Sequence, residues 1–187
     1  RAILDYVFLA KPARVVVGDA PIQVCDFAAV QRLGFDRVAE FFNATGRKVI
    51  VKDFRRTVMV REETRAQVST DLKPLDEFVL VDLGTDSHLE PISHDAKKFR
   101  VTMYDPRKMI VNHRPGVHRY LIARDILEAD LVINVPKLKT HKKAGVTIAL
   151  KNLIGINGNK DYLPHHRKGA ANRGGDNYGE ASLPKRL

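Results

Sequence analysis

Residues 130–158, DLVINVPKLKTHKKAGVTIALKNLIGING, concentrate side chains that could do chemistry at short spacing. The ammonium groups of Lys137 and Lys139, the hydroxyl of Thr140 and the imidazole of His141 directly follow an apolar run and Pro136. Such groups hold phosphates and carboxylates through charge-assisted hydrogen bonds. An imidazole, with an unperturbed pKa of about 6.5, serves as acid or base near neutrality. Thr147 and Lys151 are four residues apart and share one face of an expected helix starting near Gly145, with Asn152 on an adjacent face. The N–H groups of that helix's first turn would also favour an anion. His141 and Lys151 are therefore the catalytic candidates here, and Lys137, Lys139, Thr140, Thr147 and Asn152 the anion-binding ones. The plain alternative is that the lysines are solvated, His141 caps a turn and Lys151 lies along the surface. Neither a GxxxxGK[ST] nor a GxGxxG pattern occurs, so no motif supports ATP or a dinucleotide.

A second group follows at 160–178. His165, His166 and Arg167 sit in a Gly-rich stretch; the histidines are further catalytic candidates that can handle protons, bind a metal or pair with phosphate, and Arg167 is an anion-binding candidate, with an exposed basic loop as the alternative. Gly174-Gly175-Asp176 could turn the chain back and bring the Asp176 carboxylate to those histidines. Asp19 follows a β-branched run and could act as ligand, base or lysine partner, or as a turn aspartate bonding its own backbone. Cys25 has no adjacent cation to activate its thiol and reads as a packing residue. His88, His94, His113 and His118 show no ligand spacing and receive no role.

The elements that must position these groups read as follows. An amphipathic helix ends near Lys11 before Pro12, and Arg14 to Val17 is a buried strand breaking into Gly18-Asp19-Ala20-Pro21. Asp26 caps a helical stretch to about Thr45, with a break at Gly34; Gly46 closes it, and KVIVKD (48–53) is the next strand. Residues 57–103 form a β-rich excursion with strand-like runs at 58–60, 78–81 and 99–103. A helix is expected over 116–128, a buried strand over 131–135 and a helix from Gly145 to about Leu153 or Ile154. The fold class is α/β: a mostly parallel open sheet flanked by helices, with a β-rich insert in the middle and a basic, loop-rich carboxyl-terminal segment. Residues 1–155 read as the α/β domain, with 156–187 as its extension, and the chain reads as truncated at both ends.

Composition narrows the classes. A chain of 187 residues, 44% apolar and 29% charged, can bury one core, which excludes a disulfide-stapled miniprotein, a fibre and a disordered tail. One cysteine permits neither an intramolecular disulfide nor a four-thiolate cluster within these residues, and fits a reducing, cytoplasmic location. No apolar run reaches bilayer length. The net charge is +10, and from Lys137 onward eleven basic side chains face three acids. That local positive field attracts phosphates, carboxylates or nucleic acid.

The run VPKLKTHKKAGVTIALKNLIGI resembles the core motif of the domain of unknown function 362 (DUF362) family, and GDAPIQVCDF (18–27) and KDYLPHHRKG…RGGDNY (160–178) are similar to other stretches of its members. The resemblance implies a ferredoxin-type iron–sulfur module as partner, with any 4Fe-4S cluster carried outside this segment, because Cys25 stands alone. The pattern His141-x-x-Ala144-Gly145-x-Thr147-x-x-x-Lys151 is also similar to a segment of the nickel-pincer lactate racemase family, in which the histidine transfers protons and the lysine meets the cofactor. Ile148 and Ala149 replace that family's two glycines and Leu150 its arginine.

These readings converge on an enzyme or enzyme subunit that binds an anionic small molecule at the carboxyl edge of a sheet, its chemistry either redox or proton transfer. The alternative is a non-catalytic module for nucleic acid or another polyanion. Against that stand the few aromatic side chains available for stacking in the basic segment, Tyr162 and Tyr178.

Overall fold

The computed structural model describes residues 1–61, 67–101, 106–141 and 144–177. In chain order these form α1 (Ala2–Val7), β1 (Val15–Asp19), α2 (Phe27–Val30), α3 (Asp36–Asn43), β2 (Val49–Asp53), β3 (Thr57–Arg61), β4 (Gln67–Asp71), β5 (Phe78–Asp82) and β6 (Phe99–Arg100). There follow α4 (Pro106–Asn112), β7 (His113–Arg114), β8 (Val117–Ala123), α5 (Arg124–Leu127), β9 (Lys139–His141), β10 (Gly145–Thr147), α6 (Ala149–Asn152) and β11 (His166–Arg167). The chain divides into two units: residues 1–77 with 123–158, and 78–122 with 159–187.

In the first unit β1 and β2 pair in parallel, Val15 opposite Val49 through Asp19 opposite Asp53. Val15, Val17, Val49 and Val51 pack with Ala39 and Phe42 of α3 and with Leu4 and Phe8 from the amino-terminal helix. Phe42 is fully buried and stacks 5.1 Å from Phe8. Local chemistry accounts for these elements. Asp26 accepts from the Ala28 N–H at 3.0 Å as the expected N-cap, and Gly34, at φ +124, makes the expected break between α2 and α3. Asn43 then brackets the first residue of β2, donating to the Val49 carbonyl and accepting from the Val49 N–H.

In the second unit β5, β8 and β7 form a three-stranded sheet, with β7 and β8 antiparallel and His113 opposite His118. Ala96, Phe99 and Met109 are its buried cluster, joined by Leu89, Ile92 and Val101. β11 pairs antiparallel with β6.

The protein is therefore mixed α and β, but among the described residues the sheets are small, and they do not show the mostly parallel open sheet expected from the sequence. Two departures explain this. Residues 131–135, expected as a buried strand, form neither strand nor helix, and Leu131, Val132, Ile133 and Val135 are exposed. Asn134 ties this run to α6, donating to the Ala149 carbonyl and accepting from Asn152, instead of leaving it in a ladder beside β1. Residues 117–123, expected within a helix, form β8, because the turn before it, with Gly116 at φ +74, folds the chain back onto β7. Residues 102–103 of the expected strand at 99–103 lie outside the described residues.

Candidate functional site

Lys139, Thr140 and His141 form β9 and pair antiparallel with β10: His141 opposite Gly145, Thr140 opposite Val146, Lys139 opposite Thr147. Gly145, at φ +70, closes this hairpin and does not open a helix as expected. The His141 Nδ1 helps hold the turn by accepting from the Ala144 N–H at 3.1 Å. Strand alternation sets Lys139, His141 and Thr147 on one face of the hairpin and Thr140 with Val146 on the other. Of the four groups expected to converge within 137–147 besides Lys137, three share a face; Thr140 faces away from them.

Lys137, Lys139 and His141 are exposed, while Thr147 is buried with its Oγ1 3.5 Å from the Lys139 carbonyl. Lys151 lies half-buried on α6, which has only four residues and no side-chain cap at Ile148, so the expected helix-terminus anion site is not formed. Asn152 is committed structurally: its Nδ2 donates to Asn134 at 2.7 Å.

The carboxyl edge of β1 and β2 is built by a different set of residues. Arg55, 2% exposed, clasps Asp53 through Nε and through Nη2 at 2.6 Å. Its Nη1 donates to the carbonyls of Ile22, Gln23 and Cys25, which fixes the loop carrying GDAPIQVCDF. The Cys25 Sγ meets the Asp26 carbonyl at 3.7 Å. Residues 155–158 seal the edge: the Gly155 carbonyl accepts from the Ala20 N–H, and the Gly158 carbonyl from Arg56 and Thr57. A Cβ on Gly155 would sit 2.0 Å from Asp19 Oδ1, so Asp19 lies against this backbone. Gly155→Ala should accordingly destabilise the protein by about 1–3 kcal/mol in urea unfolding, because either the loop or Asp19 must move. An unchanged midpoint would show that the edge is loosely packed.

In the second unit, His165 donates its backbone N–H to the Arg100 carbonyl at 2.8 Å, and His166 opposes Arg100 across β6 and β11. The two imidazoles meet edge to face with centroids 5.8 Å apart. Gly174 and Gly175 turn the chain back and bring Asp176 to Arg167, the residue after His166. Asp176 accepts from the Arg167 backbone N–H at 2.6 Å and from its Nη2 at 3.2 Å. Asp161, 3% exposed, is held by Lys108 at 2.9 Å.

Two of the four histidines given no role from the sequence are the most enclosed in the second unit. His113 and His118 are both fully buried, with their Nδ1 atoms 3.4 Å apart. The His113 Nε2 donates to the Tyr162 carbonyl at 2.7 Å, so its Nδ1 is the acceptor facing His118. The His118 Nε2 lies 3.0 Å from Glu90 Oε2. Burial, reinforced by the neighbouring His118, pushes the His113 pKa down to about 4, against the opposing Tyr162 carbonyl. The pair therefore anchors the KDY turn (160–162) onto β7. Pro115-Gly116, a turn dipeptide between the two histidines, was the available signal that they would face each other.

Among the described residues no three His, Cys, Asp or Glu side chains are grouped as metal ligands, and the single thiol cannot supply a cluster's ligands. The residues present thus do not fit an iron–sulfur centre of their own. No helix among the described residues is long and apolar enough to cross a membrane. No curated protein and no solved structure matches the chain. A family model does match, over residues 84–182, a stretch that holds the β9–β10 hairpin, the buried histidine pair and the KDYLPHHRKG segment. The chain belongs to the family described as Domain of unknown function (DUF362).

Proposed function

We propose that the β9–β10 hairpin binds an anionic small molecule and that the chain is an enzyme or enzyme subunit acting on it. The observation that carries this reading is the register that sets Lys139, His141 and Thr147 on one face, with Lys137 exposed just ahead of them. Lys139 and Lys137 supply charge-assisted hydrogen bonds to the anion, His141 moves the proton, and Lys151 supplies a further cation. In the second unit, His165 and His166 keep the proposed role of proton-handling groups.

Calorimetric titration with inorganic phosphate tests the hairpin. Lys139→Ala is expected to weaken phosphate binding about tenfold or more, the ordinary worth of a hydrogen bond to a charged group. Full-strength phosphate binding by Lys139→Ala would overturn the reading.

Redox chemistry through an iron–sulfur module on a partner rests on family resemblance. Anaerobic purification of the protein with its natural partners, followed by elemental analysis, separates the versions. Iron with sulfide supports the redox one, nickel the racemase-like one. A second reading, a polyanion-binding module, is favoured by the eleven basic side chains from Lys137 onward. Binding of unrelated single-stranded oligonucleotides that falls steeply with salt would support it.

A further inference from the structure

The face of the β1–β2 pair turned away from Phe42 carries Val16, Ile50 and Lys52, and it lines an open cleft of about 530 Å³. Phe27 extends the apolar wall; Arg14, Lys73, Glu77 and Asp125 supply the polar one. Nothing in the reading of the hairpin uses these residues. Their charges are already sorted. Lys52 is held by Asp125 at 2.6 Å and Glu77 at 3.0 Å, while Asp53 is committed to Arg55. Burial works against the Lys52 charge, but the two carboxylates outweigh it and hold its pKa above the ordinary lysine value.

Lys73 is placed differently. Its Nζ donates to the backbone carbonyl of Asp53 and makes no ion pair among the described residues. A carbonyl accepts equally well from an ammonium and from a neutral amine, so it does not fix the charge as a carboxylate would. Burial lowers the Lys73 pKa, and the Lys52 ammonium acts in the same direction, against Glu77, Asp53 and Asp125. Desolvation beside a second cation is the established physical route to a nucleophilic lysine. Arg14, exposed on the same cleft, likewise makes no ion pair among the described residues.

We propose that this cleft is an amine-nucleophile site in which Lys73 forms an imine with a small oxo acid, Arg14 holding the carboxylate and Phe27, Val16 and Ile50 receiving the hydrocarbon body. The step is a condensation. The nitrogen lone pair of the neutral amine forms the bond to the carbonyl carbon. The carbonyl oxygen leaves as water, taking the two protons the nitrogen carried. No electron acceptor or donor is consumed. Glu77 and Asp125 are the carboxylates in the cleft that can relay those protons. The imine then draws electrons from the adjacent carbon, which opens proton abstraction or carboxylate loss at that carbon.

The test is trapping on the whole chain. The protein is incubated with pyruvate and cyanoborohydride, digested, and its lysines are mapped by mass spectrometry. The reduced adduct is expected on Lys73 in clear excess over exposed lysines such as Lys11 and Lys48. Arg14→Gln should slow trapping of pyruvate but not of acetaldehyde, which has no carboxylate. Lys73→Arg should remove the dominant adduct from a chain whose circular dichroism is unchanged; if that variant unfolds, the wild-type map still decides. Adducts distributed by exposure alone, or a folded chain with Lys73 unlabelled, would overturn the proposal.

Discussion

Replacing Arg55 by methionine is expected to lower the unfolding free energy by about 3–5 kcal/mol, the usual cost of leaving one partner of a buried ion pair behind. The guanidinium side chain is 3% exposed and that of Asp53 14%, so water cannot replace the lost partner at Asp53. The carbonyls of Ile22, Gln23 and Cys25 lose their donor in the same substitution. Asp53→Asn combined with Arg55→Met should cost clearly less than the two single changes added together, because the orphaned carboxylate is removed as well. Urea unfolding measures both. A loss under about 1 kcal/mol for Arg55→Met would mean that the loop at 20–26 is held by something other than this knot.

Acidification should act chiefly through His113. Its pKa in the folded protein is lowered to about 4, whereas the unfolded chain takes up the proton near 6.5. The unfolded state therefore binds more protons between those values, and stability is fully present above pH 6.5 and falls as the pH drops toward 4. The span amounts to about 3 kcal/mol. Asp82, held down by the N–H groups of His118 and Gly84, and Glu90, held down by the N–H of Gly116, lose stability at lower pH, mostly below about 4.5. His113→Phe keeps an aromatic ring beside Phe99 and Tyr120 but cannot be protonated. It should flatten the limb between pH 6.5 and 4 and cost about 1–3 kcal/mol at pH 7, where the Tyr162 carbonyl loses its donor. An unaltered pH profile in this variant would assign the acid sensitivity to other groups.

What could be read beforehand follows the range of the signal. The Asp26 cap, the break at Gly34, the Gly46 stop and the strands at 15–19 and 49–53 depend on residues within a turn or two of each other, and they stand where local propensity sets them. β8 was not legible, because a short apolar cluster such as Tyr120-Leu121-Ile122 fits helix and strand equally; pairing with β7 decides it. The run at 131–135 has the composition of a buried strand, yet the Asn134–Asn152 amide pair holds it along α6. In the candidate site, Lys139, His141 and Thr147 were picked out by type. Their common face comes from a hairpin closed by Gly145, which had been read as the entry to a helix. Lys73 depends on a partner distant along the chain, so no local pattern could mark it; the Pro115-Gly116 turn signals that the two histidines face each other but not that Tyr162 and Glu90 enclose them.

The seal on the β1 edge also has a consequence for biogenesis. Ala20 waits for Gly155, and Arg56 and Thr57 wait for Gly158, so these amides find their acceptors only after residues 155–158 have left the ribosome. Pairings so remote in the chain form late, since the entropy of closing a long loop precedes any reward from the contact. The parallel ladder of β1 and β2 can assemble on its helices first, with its rim hydrated. Completion of that rim waits for residues 155–158 to emerge, and chaperone engagement of the nascent chain would fall in this interval.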